Sequence, residues 1–134
     1  MFGVTRLIHF CYGHRLLGTG GKCRHLHGHN GLIEISLRRA KLDGLGMVMD
    51  FDEIKRTVER WVAEELDHRM LLNKRDPLVP VLRKQGEPVL AMAGNPTAEN
   101  IARLIFDYAK SRGLPVASVR LWETDSSLAA YEGG

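Results

Sequence analysis

The chain has 134 residues, 44% hydrophobic and 26% charged, with a formal net charge of +3. That length suits one globular domain with a real core, and the mild charge, without a basic tract or an aromatic ladder, argues for a small anionic substrate and against nucleic acid. No apolar run reaches bilayer length, no charged-then-apolar signal pattern opens the sequence, and two cysteines, Cys11 and Cys23, imply no disulfide framework, so one cytoplasmic domain over residues 1–134 with no membrane partner is expected.

Val4 to Tyr12 is rich in β-branched and aromatic residues and predicts a first strand, ending near His14. Leu17-Gly18-Thr19-Gly20-Gly21 is too glycine-rich for regular structure and delivers Cys23 on a flexible loop. A second strand is expected from about Leu26 to Leu42, with His27, His29, Ile33, Ile35 and Leu37 on one face and Glu34, Ser36 and Arg38 on the other. Asp43-Gly44 turns the chain, and Asp50 with Glu53 forms a capping pair for a helix over roughly Asp52 to Leu66. Ile54, Val58, Trp61, Val62 and Leu66 make its buried stripe. Pro77, Pro80, Gly86 and Pro88 leave residues 73–96 without a readable period. Thr97 is the expected N-cap of a second helix running to about Arg112, with Ile101, Leu104, Ile105 and Tyr108 inward and Gly113 as the stop. Strands at Val116–Glu123 and around Leu128–Tyr131 complete the chain. The expected architecture is α+β, a four-stranded antiparallel sheet with two helices on one face in the order ββααββ.

The chemistry concentrates in Lys22-Cys23-Arg24-His25-Leu26-His27-Gly28-His29. Side chains alternate along a strand, so His27 and His29 face the same way and supply two ligands of a tetrahedral shell. His14 is the candidate third ligand, and three histidines with an open fourth position describe a catalytic zinc. Cys23 lies between Lys22 and Arg24, whose charges favour a thiolate, whereas Cys11 has no cationic neighbours and is assigned no role. In Asp67-His68 a carboxylate stands beside an imidazole, as a proton shuttle requires. Glu123 ends an apolar strand, where a carboxylate can accept two hydrogen bonds from an amidine-like ring edge. Singly, each has an ordinary alternative: solvated loop histidines, an exposed thiol, a helix end decorated with a favourable His, a strand reaching solvent.

Taken in order, the segments Phe10-Cys11-Tyr12-Gly13-His14-Arg15-Leu16, Lys22-Cys23, Leu26-His27-Gly28-His29, Met49-Asp50-Phe51, Leu66-Asp67-His68, Leu72-Asn73, Asn95-Pro96-Thr97-Ala98-Glu99 and Glu123-Thr124 resemble the 6-pyruvoyl-tetrahydropterin synthase family. The likeness is greatest to its bacterial 6-carboxytetrahydropterin synthases of queuosine biosynthesis, which share the Cys-x3-His-x-His interval from Cys23 to His29. The resemblance implies the tunnelling fold (T-fold), Zn2+ on His14, His27 and His29, proton transfer by Cys23, Asp67 and His68, a pterin anchor at Glu123, and Thr97 in the pterin-pocket segment. It implies conversion of 7,8-dihydroneopterin triphosphate to 6-carboxy-5,6,7,8-tetrahydropterin with release of acetaldehyde and triphosphate, by a homo-oligomer (a hexamer of two trimers) with sites shared between subunits. Arg15, Lys22 and Arg24 are candidate triphosphate contacts. The alternatives are the sister synthase that keeps a pyruvoyl side chain and, more distantly, a non-catalytic zinc- and pterin-binding domain. The chain departs from the family pattern at Tyr12-Gly13, where small residues are usual, and at Gly31, where an aromatic is frequent.

Overall fold

Two strands of thirteen residues, β1 (Phe2–His14) and β2 (His27–Arg39), pair antiparallel in unbroken register from Phe2↔Arg39 to His14↔His27 in the computed structural model, which describes residues 1–134. β1 starts two residues before the expected Val4 and ends at His14, which continues the buried row of Ile8, Phe10 and Tyr12, while β2 stops at Arg39, short of the expected Leu42. β5 (Val116–Thr124) pairs with β2 and β6 (Ser127–Tyr131) with β5, both antiparallel, as expected for these two strands.

The four-stranded antiparallel sheet is corrected on the other side of β1. Two further strands, β3 (Arg69–Asn73) and β4 (Val89–Met92), add in parallel, giving a six-stranded mixed sheet of order β4-β3-β1-β2-β5-β6. They are five and four residues long, too short to display a period, and Leu71 and Leu72 are both buried, so the segment does not alternate. A short helix, Leu78–Lys84, joins them. Pro77 and Pro80 fall at its start, where a missing N–H costs no helical bond, so the residues that read as breakers there open a helix instead.

The first long helix runs as Phe51–Ile54, a π-helical stretch Lys55–Glu59, and Arg60–Glu65. Asp50 caps it, accepting from the Asp52 N–H at 2.9 Å, but Glu53 does not return the bond; it pairs with Arg56 at 2.6 Å. The last helix, Ala98–Ser111, is capped by Thr97, whose hydroxyl accepts from Asn100 N–H at 3.1 Å, and Gly113 beyond its end takes φ 80°. Ile54, Val58, Val62 and Leu66 from the first helix and Ile101 and Ile105 from the last join Ile8, Ile33, Ile35, Val119 and Leu121 in one core, so the two long helices cover one face of the sheet as expected. Burial of each such side chain contributes about 1.5–3 kcal/mol. Trp61 is only partly buried and stacks on Tyr108, ring centroids 4.2 Å apart, at the rim of this core.

One ion pair ties the exit of β1 to the loop after β3. Arg15 grips Asp76 through Nε and Nη2, one edge of its guanidinium, at 2.7 and 2.6 Å, and the Asp76 side chain is fully buried. Arg15, a candidate triphosphate contact, is thus engaged by Asp76 along one edge of its guanidinium. The Arg15 hydrogen bonds hold the Asp76 carboxyl below its ordinary pKa against the opposing effect of burial. A depressed carboxylate stabilises the fold above its unfolded-state pKa and loses that contribution as pH falls through the folded value. Arg15→Ala strands a buried carboxylate, and we expect it to cost about 3 kcal/mol in urea unfolding at pH 7, with the deficit shrinking below about pH 4. A deficit independent of pH would contradict this account.

Candidate active site

The paired ends of β1 and β2 place His14 opposite His27 and Tyr12 opposite His29. The His14, His27 and His29 rings meet with centroids 4.5, 5.0 and 5.1 Å apart, and one ligand nitrogen from each lies within 4.8 Å of the others. The Nε2 atoms of His14 and His29 are 3.1 Å apart. Nitrogens bound to a tetrahedral ion at 2.0–2.1 Å stand about 3.3 Å apart, so the group fits a metal with little movement.

Two of the three tautomers are set by main-chain carbonyls. His14 Nδ1–H donates to Pro96 O at 2.7 Å and His27 Nδ1–H to His25 O at 2.7 Å, leaving each Nε2 lone pair free to face the centre. Burial lowers the His14 pKa against the opposing pull of the Pro96 bond, and the neighbouring His27 and His29 lower it further, so the buried ring is neutral, the form that binds metal. Asn95 holds the Pro96 carbonyl in place: its Oδ1 accepts from Leu17 N–H and from the Asn73 amide, and its Nδ2 donates to Leu17 O at 2.9 Å. The Leu72-Asn73 and Asn95-Pro96-Thr97 segments thus orient His14 from behind. The only side-chain bond of Thr97 is its helix cap.

Tyr12 is 3% exposed, stacks on Phe10, and packs its ring 5.2 Å from His14 and 5.6 Å from His29. Burial, with a lesser push from Glu123, raises its pKa, which keeps the phenol neutral. A Cβ at Gly31 would lie 2.8 Å from Phe10 Cε1 and 3.1 Å from Tyr12 Cε1. The departures at positions 12 and 31 are therefore one packing feature: an aromatic on β1 fills the space above a glycine on β2. Glu123 reaches the same face, with Oε2 3.9 Å from His29 Nε2.

A second group forms around Asp67 and His68. His68 Nδ1 lies 2.9 Å from Asp67 Oδ2, and both residues gather with Cys11, their ligand atoms within 4.8 Å of one another. Cys11 N–H donates to Asp67 Oδ1 at 2.9 Å, and His68 N–H donates to Cys11 O at 2.7 Å. His68 takes φ 59°, the left-handed region, to make this turn into β3. Burial pushes the Asp67 carboxyl up, but the bonds from Cys11 N–H and His68 outweigh it and leave the pKa lowered. Alternation along β1 puts Cys11 on the face opposite Tyr12 and His14. Cys11 and His68 line a cleft of about 720 Å³ whose lining also includes Gly13, Gly28, His27 and His29.

Cys23 is exposed on a 3-10 turn, Lys22–Arg24, and its thiol joins neither group; its carbonyl accepts from Leu16 N–H at 2.9 Å. One chain therefore assembles the three histidines with Glu123, and separately Asp67 with His68, but does not bring Cys23 to either. Cys11 was not indicated by the sequence, since its partners lie 56 and more residues away.

A model of the family described as 6-pyruvoyl tetrahydropterin synthase matches residues 3–134, and the chain belongs to this family. It is 36% identical over 137 residues to a 6-carboxy-5,6,7,8-tetrahydropterin synthase of Rickettsia typhi, covering 94% of this chain and 96% of that one. It is 31% identical to the enzyme of the same description from Haemophilus influenzae, covering 98% and 99%. The solved 6-pyruvoyl tetrahydropterin synthase of Caenorhabditis elegans superposes with a TM-score of 0.74 at 25% identity, over 99% of this chain and 96% of that one. The α+β arrangement is the T-fold of this family. No helix is long and apolar enough to cross a membrane.

Proposed function

We propose that the chain is a zinc-dependent 6-carboxy-5,6,7,8-tetrahydropterin synthase acting in queuosine biosynthesis on 7,8-dihydroneopterin triphosphate. The observation that carries this reading is the His14, His27, His29 group, two of its rings fixed by carbonyls with Nε2 inward, preceded by Cys23 at the Cys-x3-His-x-His interval. The relatives described as 6-carboxy synthases support the carboxy branch over the pyruvoyl one.

His14, His27 and His29 would hold the zinc, which when bound would supply Lewis-acid chemistry to the substrate side chain. Cys23 takes and returns a proton at the side-chain carbon, favoured as thiolate by Lys22 and Arg24. His68, oriented by Asp67 at 2.9 Å, is the partner acid and base. Glu123 accepts from the amino group and ring nitrogen of the pterin, and the Thr97 segment lines the ring's pocket. Lys22 and Arg24, both exposed, contact the triphosphate.

Within one chain Asp67 and His68 group with Cys11 and not with the three histidines, and Cys23 joins neither group, which supports a site completed between copies. The short strands β4 and β6 leave the sheet edges open for such association, in the trimer pairs the family resemblance implies. Mass analysis of products from the zinc-loaded protein and 7,8-dihydroneopterin triphosphate is the test. We expect 6-carboxytetrahydropterin, acetaldehyde and triphosphate in equal amounts. A product retaining three side-chain carbons would move the chain to the pyruvoyl branch, and absence of turnover would sink the reading.

A further inference from the structure

We propose that Cys11, Asp67 and His68 form a second cation site, selective for a thiophilic divalent ion such as Zn2+, and that filling it arrests the Asp67–His68 pair. The site shares no residue with the three-histidine group. Its donors are a thiol sulfur, a carboxylate oxygen and an imidazole nitrogen, all within 4.8 Å of one another. Zinc takes these donors at about 2.3, 2.0–2.2 and 2.0–2.1 Å, so modest side-chain rotation closes the shell.

The main chain already fixes the three residues relative to one another. Cys11 N–H holds Asp67 Oδ1 at 2.9 Å, and His68 N–H holds Cys11 O at 2.7 Å with His68 in the left-handed region. Only the side chains need to move, and the His68 side chain, 78% exposed, is free to do so. Cys11 and His68 both line the cleft of about 720 Å³, which admits the ion and leaves room for a water as fourth ligand. A thiolate among the donors disfavours Mg2+ and Ca2+, which take oxygen shells. On binding, the Cys11 thiol gives its proton to solvent, and His68 turns a ring lone pair to the metal, breaking its hydrogen bond to Asp67. The arrest rests on the proton-transfer role proposed for Asp67 and His68; the binding itself does not.

Cobalt titration tests the site. Added to protein already carrying one Zn2+ per chain, Co2+ should bind as a second equivalent with a sulfur-to-cobalt charge-transfer band in the near ultraviolet, which an all-histidine site cannot give. Cys11→Ser should lose both the band and the second equivalent, and Cys23→Ser should keep both. His68→Ala, at an exposed side chain that the fold does not need, should also lose the second equivalent. With turnover measured against each protein's own rate at one equivalent, a second equivalent of Zn2+ should slow the wild type and leave Cys11→Ser unaffected. Uptake of only one equivalent by the wild type, survival of the band in Cys11→Ser, or its loss in Cys23→Ser would each overturn the proposal. None of these binding results depends on which product the enzyme makes, so failure here is distinct from failure of the proposed function.

Discussion

Cys23→Ala is expected to keep its metal and its fold and to lose turnover by at least about 100-fold. The thiol is exposed on a three-residue turn, belongs to neither histidine group, and holds its loop through its carbonyl, so the substitution removes no packing and no metal ligand. His68→Ala should fail similarly, since it removes the proposed partner acid and base. If the site is completed between copies, the two dead proteins should rescue each other. The Cys23→Ala chain supplies an intact Asp67–His68 pair, and the His68→Ala chain supplies an intact thiol beside its own three histidines. Refolding the variants together should restore activity that neither has alone. No recovery in the mixture would mean that one chain contributes the thiol and the pair to the same site.

His27→Ala should lose metal on dialysis and turnover with it. His27 is one of three proposed protein ligands, and the 2.7 Å bond from Nδ1 to His25 O turns its Nε2 toward the other two. Two histidines do not make a closed shell for zinc. The substitution lies at the end of β2 on a half-buried side chain, outside the hydrophobic core, so an unchanged unfolding midpoint for the metal-free form should accompany the loss. Activity retained without metal would separate the chemistry from the three histidines.

What the sequence made legible was local. His27 and His29 share a face because alternation demands it, and the residues facing them across β1 follow once the hairpin is paired. Asp50 and Thr97 read as caps because a cap acts on an N–H two or three residues away. What was hidden depends on distance along the chain. Arg15 reads as a free cation in the sequence, but Asp76, 61 residues on, accepts from Nε and Nη2 of its guanidinium. Cys11 looked like an ordinary strand residue until the turn at His68 brought a carboxylate and an imidazole to it. β3 and β4 were missed because buried parallel strands of five and four residues carry no alternation to read. The glycine at position 31, a mere departure in the sequence, is explained by the Phe10 and Tyr12 rings that occupy its side-chain space.

Elemental analysis of the purified protein tests the centre of the account most directly. After dialysis against a weak chelator, which empties the second site on Cys11, Asp67 and His68, the wild type should carry about one zinc per chain. A variant with His14, His27 and His29 all changed to alanine, shown by circular dichroism to be folded, should carry none after dialysis against a weak chelator. Full zinc occupancy in that triple variant would contradict the assignment of the metal centre and the chemistry built on it.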